Sequence, residues 1–416
     1  VTNDLPNPSG FASRRPALRS DAWGDAHDLL SRGQLRSLPT EGLELHATGQ
    51  YAFRRGNGPA LALLNEPTLL TQFGCVVGLD GCGIGFNRFA RTSRNVRTTY
   101  RSFRGAQDYE QAFAMLRATH RAPDDVLPSI GGLELRGQLA FHRTDAAVSY
   151  DADLTDANAY VERVRELAAQ YSLEVSAGSA AERPRAWRVG VFAWKETATL
   201  LGENIAASLS PFEPADVLDE LETTSVAGFA RAEVWLADAW MLAAGARVSR
   251  DETEARERSA GLAPIEAERA ETTGTFDATA AWEWRAGSRT GFRFAVGSRP
   301  GGFDTGVPEV AGAPAQLRDH GDERALHYEW FAENALWNER VTFDLRLFWT
   351  DYERYLLCLD SGFGHRCSNG GGALARGVEV GVRVRPAVGA LVQLTATRLD
   401  AELDDHRAVD RSQPRF

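Results

Sequence analysis

The chain has 416 residues, 43% hydrophobic and 25% charged, with a formal net charge of −11. That composition excludes a mainly disordered chain, and the acidic balance argues against a nucleic-acid partner, whose phosphates need a basic surface. No run approaches the ~18 consecutive apolar residues of a membrane helix, but a transmembrane β-strand places its apolar residues only at every second position and escapes that criterion.

Taken in chain order, the sequence reads with period two. Val1 opens a polar, Pro-containing stretch without the pattern of a signal peptide, and residues 1–30 read as an irregular lead-in to a processed chain or a fragment. In 43–54, Leu43, Leu45, Ala47, Gly49, Tyr51 and Phe53 alternate with Glu44, His46, Thr48, Gln50 and Arg54. In 133–143, Leu133, Leu135, Leu139 and Phe141 oppose Glu134, Arg136, Gln138 and His142. Residues 157–168 (ANAYVERVRELA) are the one helix candidate, with an irregular loop as the equal alternative. In 341–350, Val341, Phe343, Leu345, Leu347 and Trp349 oppose Thr342, Asp344 and Arg346. In 376–385, Val378, Val380, Val382 and Val384 oppose Arg376, Glu379, Arg383 and Arg385. In total roughly 14 strands are expected from this alternation.

The connections carry a second regularity. Short links near 39–42, 122–131, 179–185, 237–238, 286–288, 338–339 and 386–389 alternate with long ones at 55–107, 146–169, 200–223, 250–273, 300–323 and 357–373. Residues 94–103 look extended, but a spanning strand there breaks the parity, so they are placed inside a long loop. Outer-membrane barrels keep tight turns at one end and long loops at the other. Trp187, Trp194, Trp235, Trp240, Trp284, Trp330, Trp337 and Trp349 fall in or beside strands, many near the ends, as an interfacial girdle requires. The expected fold is all-β, an antiparallel up-and-down transmembrane barrel.

Four cysteines form two local pairs: Cys75 with Cys82, and Cys358 with Cys367. Spacings of seven and nine residues, without a completing His pair, do not suit zinc. Two local disulfides in an oxidising compartment are expected, and four unrelated thiols are the alternative. No catalytic elbow, phosphate-binding loop or metalloprotease signature is present, so no catalytic residue, metal site or cofactor is assigned.

Several segments then resemble one family. RFAVGSRPGGFDTG (293–306), ERVTFDLRLFWTDYERYLL (339–357), NGGGALARGVEVGVRVRP (369–386) and SLEVSAGSAAERPRAWRVGVFAWKE (172–196) resemble successive barrel strands of TonB-dependent outer-membrane receptors. SYDAD (149–153) resembles a motif of their extracellular loops. The resemblance implies a 22-stranded, plugged barrel. Residues 31–405 then supply about 14 of its strands, with short periplasmic turns and long extracellular loops. Residues 406–416 read as a truncated tail, and the plug and TonB box are not found. The implied function is active transport of a scarce large solute, such as a ferric siderophore, cobalamin or an oligosaccharide. The implied location is the outer membrane of a Gram-negative bacterium. The implied partners are membrane lipid, the TonB complex through the plug, and a siderophore or other small-molecule ligand, with the receptor a monomer. A passive porin and a soluble all-β binding protein are the alternatives. The ligand and its contact residues are not legible.

Overall fold

The computed structural model describes residues 26–57, 105–123, 126, 132–151, 160–180, 185–206, 216–237, 239–259, 263–304, 317–361 and 364–403. They are almost wholly strand: β1 (Ala26–Thr40), β2 (Leu43–Gly56), β3 (Ala106–Arg121), β4 (Glu134–Asp151), β5 (Tyr160–Gly178), β6 (Arg185–Ala206), β7 (Asp216–Leu236), β8 (Trp240–Ser259), β9 (Ile265–Arg285), β10 (Ser288–Arg299), β11 (Gly302–Asp304), β12 (Arg318–His320), β13 (Glu323–Leu336), β14 (Val341–Glu353), β15 (Leu356–Ser361), β16 (Gly364–Asn369), β17 (Ala373–Val384) and β18 (Val392–Leu403). Fourteen of them form one sheet in the order β1-β2-β3-β4-β5-β6-β7-β8-β9-β10-β13-β14-β17-β18. Every neighbouring pair is antiparallel, for example β7 with β8 and β14 with β17. The sheet is therefore an up-and-down meander, as the alternation implied. It is open: β1 and β18 are its edges, and they do not pair with each other. The hairpins β11–β12 and β15–β16 stand apart, at the long-connection end.

The two faces have opposite chemistry. In β9 exposure alternates residue by residue: Phe276, Trp282 and Trp284 are exposed, whereas Thr279 and Ala281 are buried. In β8, Trp240, Leu242 and Val248 lie outward, and Met241, Ala243, Thr253 and Glu257 are buried inward. Directly opposed residues of an antiparallel pair share a face, so the outward row can be followed by register. It runs from Trp240 to Trp282, Thr290, Ala332, Leu345, Val380 and Ala396. Val378, Val380, Val382 and Val384 thus lie outward, and Glu379, opposite Arg346, lies inward. The inner face carries Thr, Arg, Glu and Asp. A soluble protein would bury the apolar face and wet the polar one. Here the apolar face is exposed, and its extent on β8, from Trp240 to Val248, matches the ~9–11 residues that cross a bilayer.

Three corrections arise. Residues 160–168 of the helix candidate belong to strand β5, so both the helix and the irregular loop are wrong there. The long connections expected at 146–169, 200–223 and 250–273 are mostly strand, because β4 to β9 continue well past the apolar band. Trp194 and Trp235 face inward rather than joining a girdle; Trp235 is buried in a cluster with Met241, Ala281 and Phe331. Residues 94–103, like Cys75 and Cys82, lie outside the described residues.

Packing on the inner wall uses a repeated device. Gly190 lies opposite Phe229, Gly291 opposite Phe331 and Gly377 opposite Phe348. In each pair the phenyl ring covers the space where a side chain would stand. A Cβ at Gly291 would sit 2.6 Å from the Ala280 carbonyl oxygen and 2.7 Å from Phe331 Cζ. Gly291→Ala is therefore expected to cost about 1–3 kcal/mol by overpacking. Gly49→Ala, with nothing within 4 Å of the new carbon, should be neutral or slightly stabilising. Denaturant unfolding of both variants in lipid vesicles checks this contrast.

Candidate functional site

A conduit's chemistry lies on its inner wall, and this wall is a lattice of arginine–carboxylate pairs. Near the short-turn end, Glu134 at the start of β4 is 2% exposed. Three arginines surround it: Arg121 Nε at 2.9 Å, Arg136 Nε at 2.6 Å and Arg188 Nη2 at 3.2 Å. Residues on β3, β4 and β6 thus converge on one buried carboxylate, which their hydrogen bonds hold ionised. Further round, Arg231 on β7 reaches across β8 to Asp277 on β9, with Nη1 2.6 Å from Oδ2. It can do so because the residue between them is Gly245, whose Cβ would lie 2.5 Å from the Asp277 carboxylate. Beyond that, Arg289 and Arg346 share Glu333 at 2.7 and 3.5 Å, and Arg293 meets Glu329 at 3.5 Å. His327 Nδ1 lies 2.9 Å from Thr350 Oγ1. Glu134 and Arg136, which alternation set opposite the Leu133 and Leu135 row, are engaged in this lattice, as are Arg231 and Arg293. It offers a charged surface and, among the described residues, no catalytic constellation.

At the long-loop end, three connections are tied into one rim. Asn369, the first residue of the 369–386 motif, donates from Nδ2 to the carbonyls of Gly321 (3.1 Å) and Arg354 (2.9 Å). Its Oδ1 accepts the Gly321 N–H. Arg354 pairs with Asp322, and the Leu356 N–H donates to Glu323 Oε2 at 2.9 Å. One side chain therefore knots the β12–β13 link to the β14–β15 link. The neighbouring SRPGGF segment (298–303) is explained the same way. The Gly301 N–H donates to Glu271 Oε2 at 3.0 Å, Arg269 bridges Glu271 and Asp319, and a Cβ at Gly301 would sit 2.4 Å from the His320 carbonyl oxygen. The Gly301–Glu271 and Arg269–Asp319 contacts join residues 30 and 50 positions apart, and alternation alone could not have found them.

The rim also holds one cysteine pair. Cys358 and Cys367 are opposed on β15 and β16 and form a disulfide with a Cα separation of 4.0 Å. Asp400 and Glu402, near the end of the edge strand β18, face Arg376, which lies 2.8 Å from Asp400 and stands over the Trp349 ring. That cluster sits where the outward apolar band of β14 and β17 ends.

Comparison with known proteins agrees with this geometry. The family model described as TonB dependent receptor-like, beta-barrel, matches residues 43–413. Among solved structures, the chain is similar to the ferric yersiniabactin uptake receptor FyuA from Yersinia pestis. The TM-score is 0.69 at 16% identity, covering 97% of this chain and 55% of that one. It is also similar to the open form of the ferric-catecholate import receptor Fiu from E. coli K12, with TM-score 0.58, 14% identity, and 92% and 59% covered. A third likeness is to the copper transporter OprC, with TM-score 0.60, 9% identity, and 91% and 53% covered. No curated protein matches the chain. The chain spans little more than half the length of these solved receptors.

Proposed function

Because the chain belongs to the TonB-dependent receptor β-barrel family and lies in the outer membrane, we propose that its receptor imports a scarce metal chelate, of the ferric-siderophore class, using energy delivered by the TonB complex. The observation that carries this reading is the pairing of an outward apolar band with an inner wall of Arg–Glu and Arg–Asp pairs. Such a wall hydrates a path for a large polar solute. It also gives a plug region, the part through which TonB acts in this family, many polar contacts. The named uptake functions of the similar structures, for ferric yersiniabactin, ferric catecholates and copper, point to metal-bearing solutes. In this reading lipid contacts the apolar face and the receptor acts as a monomer.

The test is uptake of radiolabelled ferric siderophores by an iron-starved strain lacking its own receptors and expressing this one at full length. Uptake that saturates and stops when TonB is deleted supports the proposal. Uptake that persists without TonB supports the passive-porin alternative and overturns it.

The Cys358–Cys367 bridge fits a role in this reading, and Cys75–Cys82 is assigned the same one. Closing so short a loop contributes about 2–3 kcal/mol of chain-entropy stabilisation. That is small for a barrel but ample to hold a ligand-facing hairpin in shape. Reduction should weaken ligand binding to the complete receptor while leaving the barrel's heat-resistant mobility on gels unchanged. Loss of that mobility on reduction would assign the bridges to the fold instead.

A further inference from the structure

We propose that Asp219 and Glu257 form a binding site for a hard divalent cation of the Ca²⁺ or Mg²⁺ class on the outer extension of β7 and β8. Both strands run past the apolar band into water there: the outward positions become Glu220, Arg256 and Arg258. On the inner face, Asp219 stands directly opposite Glu257. The two residues are 7% and 2% exposed, and Asp219 Oδ1 and Glu257 Oε2 are buried with no hydrogen-bond partner.

Three buried residues among those described carry a carboxylate: Glu134, Asp219 and Glu257. Glu134 is met by three arginines. Among the described residues, no hydrogen bond reaches the buried oxygens of the other two. The same-face neighbours on the adjoining strands are Leu200, opposite Asp219 on β6, and Ile265, opposite Glu257 on β9. Two positions along lie Leu221 and Ala255. The arginines flanking Glu257 in sequence lie on the outward face and pair there, Arg258 with Glu220 at 3.8 Å and Arg256 with Glu266 at 3.4 Å. Burying two like charges side by side is costly unless a counter-charge joins them. Burial raises the Asp219 carboxyl to about 6, and burial followed by the Asp219 charge raises that of Glu257. Near neutral pH the pair therefore carries negative charge with no ion-paired cation among the described residues.

The donor atoms choose the ion. Both are carboxylate oxygens, which suit hard cations. No His, Cys or third acid completes a larger cluster among the described residues, so water fills the remaining positions. Affinity should then be weak, in the ~10⁻⁴–10⁻³ M range of extracellular calcium modules. The bound ion would clamp the β7 and β8 extensions together beneath the loops they carry. The inference needs only the topology of the wall, not the identity of the solute, and its readout is ion binding rather than uptake.

The experiment uses the full-length receptor in detergent, stripped of metal by a chelator. Calcium binding is followed by calorimetry and by equilibrium dialysis, for wild type and for the Asp219→Asn/Glu257→Gln double variant. Heat-resistant mobility on gels verifies that each is folded. Wild type should bind one ion that the double variant loses by at least ~10-fold, with binding weakening as pH falls below about 6. Should the variant fail to fold, infrared titration of the wild type decides: added Ca²⁺ should lower the carboxyl titration near pH 6. Equal calcium binding by both forms, or a titration that Ca²⁺ leaves unmoved, overturns the site in favour of a pair that merely shares a proton.

Discussion

Val380→Arg should abolish or severely reduce membrane assembly of the complete receptor, while Glu379→Gln leaves assembly near normal. The two residues are adjacent in sequence and opposite in environment. Val380 lies on the outward row, between Leu345 of β14 and Ala396 of β18. Glu379 lies on the inner wall, opposite Arg346 and Thr397. An arginine on the lipid face near the bilayer midplane costs about 2–4 kcal/mol, a large share of the 5–15 kcal/mol net stability typical of a folded protein. Neutralising Glu379 leaves a hydrated wall with one charge fewer. The readout is the fraction of receptor reaching a heat-resistant form in vesicles. Equal effects from the two substitutions would contradict the face assignment.

Glu134→Ala should be the most damaging single change on the inner wall. It removes the common acceptor of Arg121, Arg136 and Arg188 and leaves three guanidinium groups within one neighbourhood. Arg121 and Arg136 are 66% and 46% exposed and can rehydrate, whereas Arg188, at 28%, is more confined. The expected loss is therefore about 1.5–3 kcal/mol, the worth of hydrogen bonds to a charged group, rather than the larger cost of a wholly buried ion. Arg121→Ala, which removes one exposed partner of several, should cost well under half as much. Urea titration in lipid vesicles measures both, and similar losses for the two would show that Glu134 is not the hub.

The spanning part of the fold was legible because lipid enforces it. Inside the apolar band each strand must alternate, and residues such as Leu242, Ala244, Ala246 and Val248 do so against Ala243, Gly245 and Arg247. Beyond Arg250 the outward positions of β8 become Glu252, Glu254, Arg256 and Arg258, the alternation loses its apolar half, and the segment read as a loop although its hydrogen-bond ladder continues to Ser259. The start of β5 was hidden differently: Val161, Val164 and Leu167 recur every third residue, which looked helical, but along a strand that spacing alternates between the two faces. The rim and the Glu134 cluster were illegible for another reason. Asn369 meets Gly321 across 48 positions, and Arg188 meets Glu134 across 54. Such partners emerge only once the register is known. The cysteine pairing was legible because Cys358 and Cys367 close a local hairpin.

The central claim is that one face of this sheet meets lipid and the other an aqueous lumen. Nitroxide labels attached one at a time to positions 240–258 of the full-length receptor in liposomes test it directly. Collision with oxygen, which concentrates in lipid, should peak at Leu242, Ala244, Ala246 and Val248 and fall at Ala243, Gly245 and Arg247. From Arg250 onward, the outward positions Glu252, Glu254 and Arg256 should instead become accessible to a water-soluble nickel relaxant. Oxygen maxima at the odd positions, or no period of two between Trp240 and Val248, would contradict the account.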